Sequence, residues 1–251
     1  MLRNRVIPAL LLQNEGLVKT TKFKNPKYVG DPINAIRIFN DKEVDELMVL
    51  DIAASQTGSE PNYQLIEELA GECFMPLAYG GGISTVEQAG RILACGVEKI
   101  CLQTAALNKP QLVSDLAQKF GSQSIVVSAD VKKNWFNKPK LFKAAERKIV
   151  DSDWIEYLQQ QVRAGAGEIL LNSVDQDGTL SGPDLDLIHT ASEAIEVPLI
   201  ALGGISSLAD IKAAIEAGAS AVAAGSFFVF HGPHRAVLIT YPKYSDLEQL
   251  F

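Results

Sequence analysis

The sequence predicts an α/β fold, a single eight-stranded (β/α)8 barrel made of two similar halves, and three observations support it. The chain has 251 residues, 47% of them hydrophobic, which suits one large domain of this kind. Short apolar segments alternate with longer segments of helical period, a pattern typical of βα units around a parallel sheet. The two halves of the chain also repeat each other. We therefore expect one TIM barrel domain over residues 1–251.

Eight apolar segments are predicted to form the barrel strands. Several of them, such as VIPALLL and SIVVSAD, are apolar along most of their length, as expected for strands buried on both faces. An open doubly wound sheet is the alternative, but no G-x-G-x-x-G motif follows the first strand. The predicted strands centre on residues 5–12, 46–52, 77–79, 99–102, 124–130, 168–172, 199–202 and 221–224.

The internal repeat has a constant offset of 122 residues, from Pro76 to Pro198. PLAYGGGISTVEQAGRILACGVEKICLQTA matches PLIALGGISSLADIKAAIEAGASAVAAGSF without a gap. The match pairs Gly81 with Gly203, Gly82 with Gly204 and Thr104 with Ser226. Self-similarity of this kind predicts two four-stranded halves.

Each glycine pair follows a strand and precedes a helix, for which Ser84 and Ser207 are the predicted N-caps. Glycines let a phosphate approach the backbone closely, and the start of the next helix favours an anion. Because the loops after strands seven and eight of a TIM barrel often bind phosphate, the repeat predicts a second site after strands three and four. Together they predict an elongated ligand with two phosphates. The alternative is a tight turn without a ligand.

Carboxylates at the carboxyl ends of the strands are candidate acid–base groups, because that face carries catalysis in this fold. Asp51, Asp130, Asp175 and Asp177 qualify. Helix capping or loop solvation is the alternative. The turn SVDQDGTLSG, residues 173–182, can offer a ligand both backbone donors and side-chain oxygens.

A long basic segment, GLVKTTKFKNPKYVGDP, follows the first strand, and long loops over a barrel mouth are usually functional. We expect a lid that gathers an anionic substrate through Lys19, Lys22, Lys24 and Lys27, or else a solvated basic loop. In a second basic segment, KKNWFNKPKLFK, Trp135 and Phe136 are candidates to stack on a substrate base or to pack within a lid.

Four charges of alternating sign lie at the amino-terminal ends of strands: Arg5, Glu46, Lys99 and Glu168. Charges at that end of a packed barrel can form a ring of ion pairs that closes the bottom. On the residues alone, a structural ring is the favoured interpretation.

Composition excludes several classes. A formal net charge of −7 argues against a nucleic-acid-binding protein. No apolar run reaches the roughly 18 residues of a membrane span. We expect neither a disulfide framework nor a zinc site, because the three cysteines lack a C-x-x-C spacing and follow no secretory signal. The three histidines show no metal-ligand or triad spacing, and we expect no cofactor. We expect a cytoplasmic protein in which the three cysteines, Cys73, Cys95 and Cys101, are reduced. The three histidines, His189, His231 and His234, are expected to lie on the surface.

From its start up to about residue 230, the sequence resembles the cyclase subunit of imidazole glycerol phosphate synthase (HisF). The matching segments are MLRNRVIP, LVKTTKF, GDP at residues 30–32, VDELMVLDI, GGGI, KICLQTAA, GSQSIVVSAD, GAGEILLNSVDQDGT and the second GGI. The resemblance implies a barrel that receives ammonia from a partner glutaminase. That family uses the ammonia to cleave and cyclise a bisphosphorylated aminoimidazole-carboxamide ribonucleotide.

The resemblance also implies residue roles. Asp130 matches one of the family's two catalytic aspartates, but Leu11 stands in the position of the other, and leucine cannot transfer a proton. Gln103 replaces the family's usual asparagine. The charged ring matches the family's ammonia gate, which favours a functional ring. Six residues match the family's phosphate or substrate contacts: Gly82, Thr104, Asp177, Gly178, Gly204 and Ser226. The full set of candidate phosphate- or substrate-binding residues adds Lys19, Asp51, Gly81, Gln103, Gly203 and Gly225.

The end of the chain, FVFHGPHRAVLITYP, lacks the apolar period of the usual eighth helix, so we expect that helix to be degenerate. With Leu11, this departure resembles the paralogous WbuZ-like branch associated with glycosyl amidation in surface-polysaccharide synthesis. The first hypothesis is therefore an ammonia-conducting subunit that serves a separate sugar amidotransferase. The second is an active histidine-pathway cyclase in which Asp51 or a lid lysine replaces the missing acid. A related sugar isomerase ranks lower.

Overall fold

Eight parallel strands close into a barrel in the computed structural model, which describes residues 4–251. The predicted (β/α)8 fold is therefore confirmed. The first three residues of the MLRNRVIP segment lie outside the described part. The barrel strands are Arg5–Gln13 (β1), Leu47–Asp51 (β2), Leu77–Gly80 (β3), Lys99–Leu102 (β4), Ile125–Lys133 (β5), Glu168–Ser173 (β6), Leu199–Leu202 (β7) and Ala221–Ala224 (β8).

Closure is achieved by pairing the last strand with the first. Arg5 of β1 is the register partner of Ala221 of β8, and Ala9 of β1 is the partner of Met48 of β2. Each strand has a parallel neighbour on both sides, so the barrel leaves no free edge.

Helices cover the outside of the barrel and bury one face against the strands. In the helix after β2, for example, Ile66 and Leu69 are buried three positions apart, as expected for an amphipathic helix. The longer helices are Pro32–Asp41, Tyr63–Glu72, Val86–Ala94, Pro110–Phe120, Trp154–Ala164, Leu185–Ala194 and Leu208–Glu216. The short ones are Ala54–Thr57, Thr104–Asn108, Ser226–Val229 and Tyr244–Glu248.

The helices after β3 and β7 have equivalent N-caps. Thr85 accepts a hydrogen bond from the Gln88 amide, and Ser207 accepts one from the Asp210 amide, both at 3.2 Å. The prediction of Ser84 as N-cap is wrong, because its hydroxyl donates to the Gln88 side chain instead, at 3.0 Å. The repeat offset pairs Thr85 with Ser207, so the internal symmetry is kept.

The long connections after β1 and β5 are antiparallel hairpins. In the first, called the β1 hairpin (residues 16–30), Gly16–Thr21 pairs with β1 and with Lys24–Gly30. In the second, called the β5 hairpin (residues 139–150), Pro139–Lys143 pairs with β5 and with Lys148–Val150. The first strand of each half of the barrel is therefore followed by a hairpin.

The chain ends outside the regular βα pattern. After the short helix Ser226–Val229, a small hairpin pairs Phe230–His231 with Ala236–Val237, and Tyr244–Glu248 forms a last short helix. The Tyr241 hydroxyl donates to the Val6 carbonyl at 2.9 Å and fastens this segment to the barrel. The expected degenerate eighth helix is confirmed. Among the helices of the described residues, none has both the length and the apolar character needed to cross a membrane.

Candidate functional site

A cavity of about 190 Å³ opens at the carboxyl ends of the barrel strands. It is lined by residues from the ends of all eight strands, so it gathers positions far apart in sequence. Every residue that the sequence suggested for ligand binding or proton transfer in the mouth, apart from Asp175, the exposed lid lysines and the two aromatic residues, lines it. Those residues are Lys19, Asp51, Gly81, Gly82, Gln103, Thr104, Asp130, Asp177, Gly178, Gly203, Gly204, Gly225 and Ser226. Leu11 lines the cavity as well.

Two glycine turns form opposite parts of the lining, and we call them the β3–β4 cradle (Gly81, Gly82 and Thr104) and the β7–β8 cradle (Gly203, Gly204, Gly225 and Ser226). Gly82 has φ +70°, and a Cβ there would lie 2.8 Å from the Ser59 carbonyl oxygen. Gly204 has φ +88°, and a Cβ there would lie 2.0 Å from the Gly182 carbonyl oxygen. Only glycine fits such positions, so both turns present bare backbone to the cavity.

Each cradle includes a hydroxyl at the start of a short helix. Thr104 begins the helix Thr104–Asn108, and its hydroxyl donates to the Gln103 side-chain oxygen at 2.8 Å. The Gln103 amide nitrogen donates in turn to the Phe142 carbonyl at 3.0 Å, which ties the β5 hairpin to the end of β4. Ser226 begins the helix Ser226–Val229 and is buried.

Lys19 is the buried cation of the cavity. Its ammonium group donates to the Ala9 carbonyl at 2.6 Å. A Cβ on Gly225 would lie 2.7 Å from Lys19 Nζ, so the ammonium group lies against the β7–β8 cradle. Burial lowers the pKa of Lys19 to about 8, while the nearby Asp177 carboxylate acts in the opposite direction. A bound anion would favour the charged form of this group.

Asp177 joins the loop after β6 to the β1 hairpin. Its carboxylate accepts hydrogen bonds from the Thr20 hydroxyl at 3.1 Å and from the Phe23 amide at 3.3 Å. Burial raises the pKa of this carboxyl, and those two hydrogen bonds offset part of the effect. Asp51 is held from the other side, because its Oδ1 accepts the amides of Ala53 at 2.9 Å and Ala54 at 3.1 Å.

Asp130 is the carboxylate best suited to proton transfer. Only 5% of its surface is exposed, and burial raises its pKa to about 7. The Asn172 side chain and the Ser128 hydroxyl, 3.4 Å away, favour the ionised form but do not outweigh burial. A carboxyl with a pKa near 7 can accept or release a proton under neutral conditions.

Asn172 is a cavity residue that the sequence interpretation missed. It is the register partner of Asp130 across β5 and β6, and its buried Oδ1 has no hydrogen-bond partner within the described residues. A buried acceptor without a partner is costly, so this atom is suited to a donor on a ligand. Strand alternation from Glu168 could have located it, because residues two and four positions along a strand face the same side.

Leu11 occupies the mouth of the cavity as an apolar side chain. It lies at the end of β1, next to Leu50 of β2 in the sheet register. With no ionisable atom at this position, the cavity has Asp130 but lacks a second carboxylate from the end of β1.

Other candidates lie outside the cavity. The Asp175 carboxylate accepts the Lys133 amide at 2.8 Å, so it has a structural role. Trp135 and Phe136 are exposed at the turn that follows β5, where they neither stack over the mouth nor pack within a lid. The three remaining lysines of the β1 hairpin and the three histidines are also exposed, namely Lys22, Lys24, Lys27, His189, His231 and His234.

The four charges at the amino-terminal ends of the strands form a closed ring of ion pairs. Lys99 Nζ lies 3.0 Å from Glu46 Oε2 and 3.1 Å from Glu168 Oε1. Arg5 also contacts both carboxylates, and its Nη2 lies 3.1 Å from Glu168 Oε1. Each cation therefore bridges both anions, as expected for a ring at this end of the barrel.

An apolar layer lies between this ring and the cavity, and its members Ala9 and Cys101 also line the cavity. Its members are barrel-interior side chains with at most 5% exposure: Ile7, Ala9, Met48, Ala78, Cys101, Val126, Leu170, Ile200, Ala221 and Ala223. A charged species cannot cross such a layer cheaply, whereas a small neutral molecule has no comparable desolvation cost. Within residues 4–251, no cluster of three or more histidine, cysteine, aspartate or glutamate side chains is arranged to hold a metal ion.

Comparison with known proteins agrees with this geometry. Residues 5–234 match the family model described as histidine biosynthesis protein. A Pseudomonas aeruginosa protein, provisionally named imidazole glycerol phosphate synthase subunit hisF2, is 54% identical over 249 residues, which cover 99% of both chains. A Leptospira interrogans protein, provisionally named subunit HisF of the same enzyme, is 49% identical over 253 residues and 100% of both chains.

The similarity also extends to a relative whose name is not provisional. Imidazole glycerol phosphate synthase subunit HisF of Thermobifida fusca is 41% identical over 231 residues, 90% of each chain. The family model spans most of the chain, and these relatives align along nearly their full length. The chain therefore belongs to the HisF family of histidine biosynthesis proteins.

Proposed function

We propose that this barrel is the ammonia-accepting subunit of a glutamine amidotransferase assembly and that its mouth binds a bisphosphorylated ligand. One observation carries the proposal: two glycine cradles and Asp130 line the cavity and the charged ring closes the other end of the barrel, whereas apolar Leu11 stands where the family resemblance places a catalytic aspartate. In this proposal the barrel still binds the bisphosphorylated ligand and conducts ammonia, but it lacks the full acid–base pair.

The cradles support the choice of ligand. Each presents glycine backbone and a hydroxyl at the start of a helix, an arrangement that favours phosphate. Because the two cradles belong to opposite halves of the barrel, one phosphate in each requires an elongated molecule. Asn172 Oδ1 supplies an acceptor for a donor group between them.

The route for ammonia enters at the other end of the barrel. We infer that a glutaminase subunit docks on the amino-terminal face, around Arg5, Glu46, Lys99 and Glu168, and releases ammonia there. The apolar layer above the ring admits the neutral molecule and excludes ammonium. The relatives are named as subunits of imidazole glycerol phosphate synthase, which fits a barrel that works beside a partner.

The missing acid decides what happens to the ammonia. A positioned acid or base typically contributes roughly 100-fold or more to a rate, so a lone Asp130 leaves cyclisation slow. We propose that the ammonia passes instead to a separate sugar amidotransferase in surface-polysaccharide synthesis, as in the WbuZ-like branch. We place the assembly in the cytoplasm, where the three free thiols of the chain stay reduced.

The second candidate is an active cyclase of the histidine pathway, and the names of the relatives favour it. Another group would then have to act as the acid. Lys19 is better suited than Asp51, because its amine has a pKa of about 8, while Asp51 Oδ1 already accepts two backbone amides.

A two-part experiment separates the candidates. The purified chain is mixed with an ammonium salt and the bisphosphorylated aminoimidazole-carboxamide ribonucleotide, and both melting temperature and product formation are measured. We expect the nucleotide to raise the melting temperature without turnover at an enzyme's normal rate. Normal turnover would establish the cyclase instead, and the absence of any thermal shift would refute bisphosphate binding altogether.

If the chain binds the nucleotide without turning it over, reconstitution tests the destination of the ammonia. The barrel, the glutaminase and the sugar amidotransferase are combined with glutamine and the sugar acceptor. We expect aminated sugar only when all three proteins are present, whereas equal yields without the barrel would exclude a conducting role.

A further inference from the structure

Among the described residues that line the cavity, two are basic, Lys19 and Arg147. Lys19 belongs to the β1 hairpin and Arg147 to the β5 hairpin. The two hairpins follow the first strands of the two halves of the barrel, so both cations come from equivalent connections. Lys19 lies on a strand of its hairpin, and Arg147 lies in the turn between the two strands of the other. The sequence interpretation identified Lys19 but not Arg147.

Lys19 reaches the cradle of the other half. It comes from the first half of the barrel, yet its ammonium group lies against Gly225 in the β7–β8 cradle. The closed sheet explains this position, because β1 is the direct neighbour of β8.

Arg147 lies on the opposite side, next to the β3–β4 cradle. It directly follows the 3-10 turn Ala144–Glu146, which packs against the helix Ala54–Thr57. That helix borders the cradle, because a Cβ on Gly82 would lie 3.1 Å from the Ala54 Cβ. β5 is the direct neighbour of β4, so this hairpin also reaches the cradle of the other half.

The guanidinium group of Arg147 is free to bind an anion. The adjacent carboxylate of Glu146 is already paired with Lys143 and Lys148. Within residues 4–251, the Arg147 side chain has neither a hydrogen bond nor an ion pair, although it borders the cavity. A guanidinium group offers five donors in a planar fork that matches phosphate oxygens.

We propose that Arg147 binds the phosphate held by the β3–β4 cradle, as the counterpart of Lys19 at the β7–β8 cradle. Each cradle then receives one cation from the hairpin of the opposite half, and the mouth selects ligands that carry two phosphates over ligands that carry one. The inference rests on the proposed function only in assigning phosphate to the cradles.

The test uses the full chain and two probes, inorganic phosphate and an aliphatic bisphosphate, with binding followed by calorimetry. We expect wild type to bind two inorganic phosphates. Arg147→Gln should weaken one of the two sites by about tenfold and spare the other. The site that survives in Arg147→Gln should be lost on adding Lys19→Met. Lys138→Gln is the matched control, since this exposed lysine just before the β5 hairpin does not line the cavity, and its affinities should equal those of wild type.

The outcomes distinguish this inference from the proposed function. If wild type binds two phosphates and Arg147→Gln changes the affinity of neither site, the proposed role of Arg147 is wrong, but the cradles remain phosphate sites. If wild type binds neither probe, the cradles are not phosphate sites. Both the proposed bisphosphorylated ligand and the proposed role of Arg147 are then refuted. Because Arg147 is exposed, the variant should keep the wild-type melting temperature.

Discussion

Asn172 on β6 is the register partner of Asp130 on β5, and both buried side chains line the cavity. Burial raises the pKa of the Asp130 carboxyl to about 7, while the Asn172 side chain favours its ionised form. Asp130 is thus able to exchange a proton near neutrality, and Asn172 keeps one unpartnered acceptor for a ligand. This carboxylate contributes to how the stability of the protein depends on pH.

Replacing Asp130 by asparagine should stabilise the protein at high pH. The folded chain holds a proton on Asp130 up to about pH 7, whereas the unfolded chain releases it near pH 4. The stability from this proton is fully present below about pH 4 and is lost as the pH rises through 7. Asparagine does not ionise, so Asp130→Asn should gain roughly 2–4 kcal/mol relative to wild type between pH 4 and pH 8.

Urea unfolding at several pH values measures this difference. The control is Asp115→Asn, which removes an exposed carboxylate from the helix Pro110–Phe120 and should follow the wild-type curve. A stability gap between Asp130→Asn and wild type that stays constant with pH would contradict the raised pKa of the Asp130 carboxyl.

Replacing Lys19 should remove the pH dependence of phosphate binding above pH 7. The pKa of Lys19 is about 8, so a phosphate at the β7–β8 cradle should raise it and draw a proton from solution. Affinity for inorganic phosphate should therefore fall as the pH rises from about 7.5 to about 9. Calorimetry in buffers of different ionisation enthalpy should detect the proton uptake in wild type but not in Lys19→Met. Lys22→Met alters an exposed lysine of the same hairpin and should retain the proton uptake. Loss of proton uptake in Lys22→Met would contradict its assignment to Lys19.

A methyl group at Gly204 should destabilise the barrel. Its φ is +88°, and a Cβ there would lie 2.0 Å from the Gly182 carbonyl oxygen, which leaves no room for a side chain. We expect Gly204→Ala to cost roughly 2 kcal/mol or more. Gly71→Ala is the matched control, because Gly71 lies in a helix with open space around it, and it should stabilise by about 0.5–1 kcal/mol. Chemical denaturation measures the free energy of unfolding of both variants. An equal change in Gly204→Ala and Gly71→Ala would contradict the geometry of the cradle.

Breaking the charged ring should cost stability. Lys99 bridges Glu46 and Glu168, and the Glu46 side chain is only 3% exposed. Lys99→Met leaves a buried carboxylate short of one partner, so a loss of roughly 3 kcal/mol is expected. Arg37→Met breaks an exposed ion pair with Glu72 and should leave the denaturation midpoint almost unchanged. If both variants unfold at the wild-type midpoint, the ring is not a structural element.

The fold could be predicted because its signals are local and repeated. Apolar strands buried on both faces and a gapless 122-residue repeat specify a closed barrel of two halves. The same repeat located both cradles, since a glycine pair between a strand and a helix has few structural alternatives. The Ser84 error arose because two adjacent hydroxyl residues precede the helix, and only geometry shows that Thr85 is the one that caps it.

The parts that could not be predicted depend on contacts between distant segments. Arg147 reaches the mouth only because the β5 hairpin folds back against the short helix Ala54–Thr57. Trp135 and Phe136 suggested a stacking surface by residue type, but the turn that carries them lies outside the cavity lining. The partner of Asp130 likewise depends on the register between β5 and β6.

The most direct test of the proposed function introduces a carboxylate at residue 11, where the family resemblance places a catalytic aspartate. Single-turnover measurements with the bisphosphorylated nucleotide and an ammonium salt compare wild type with Leu11→Asp, and Leu11→Asn serves as an isosteric control that cannot ionise. If the mouth binds the ligand and lacks only a proton-transferring group, Leu11→Asp should accelerate cyclisation by roughly 100-fold or more at unchanged affinity, and Leu11→Asn should not. A wild type that already turns over at the rate of Leu11→Asp would contradict the claim that Leu11 separates binding from catalysis.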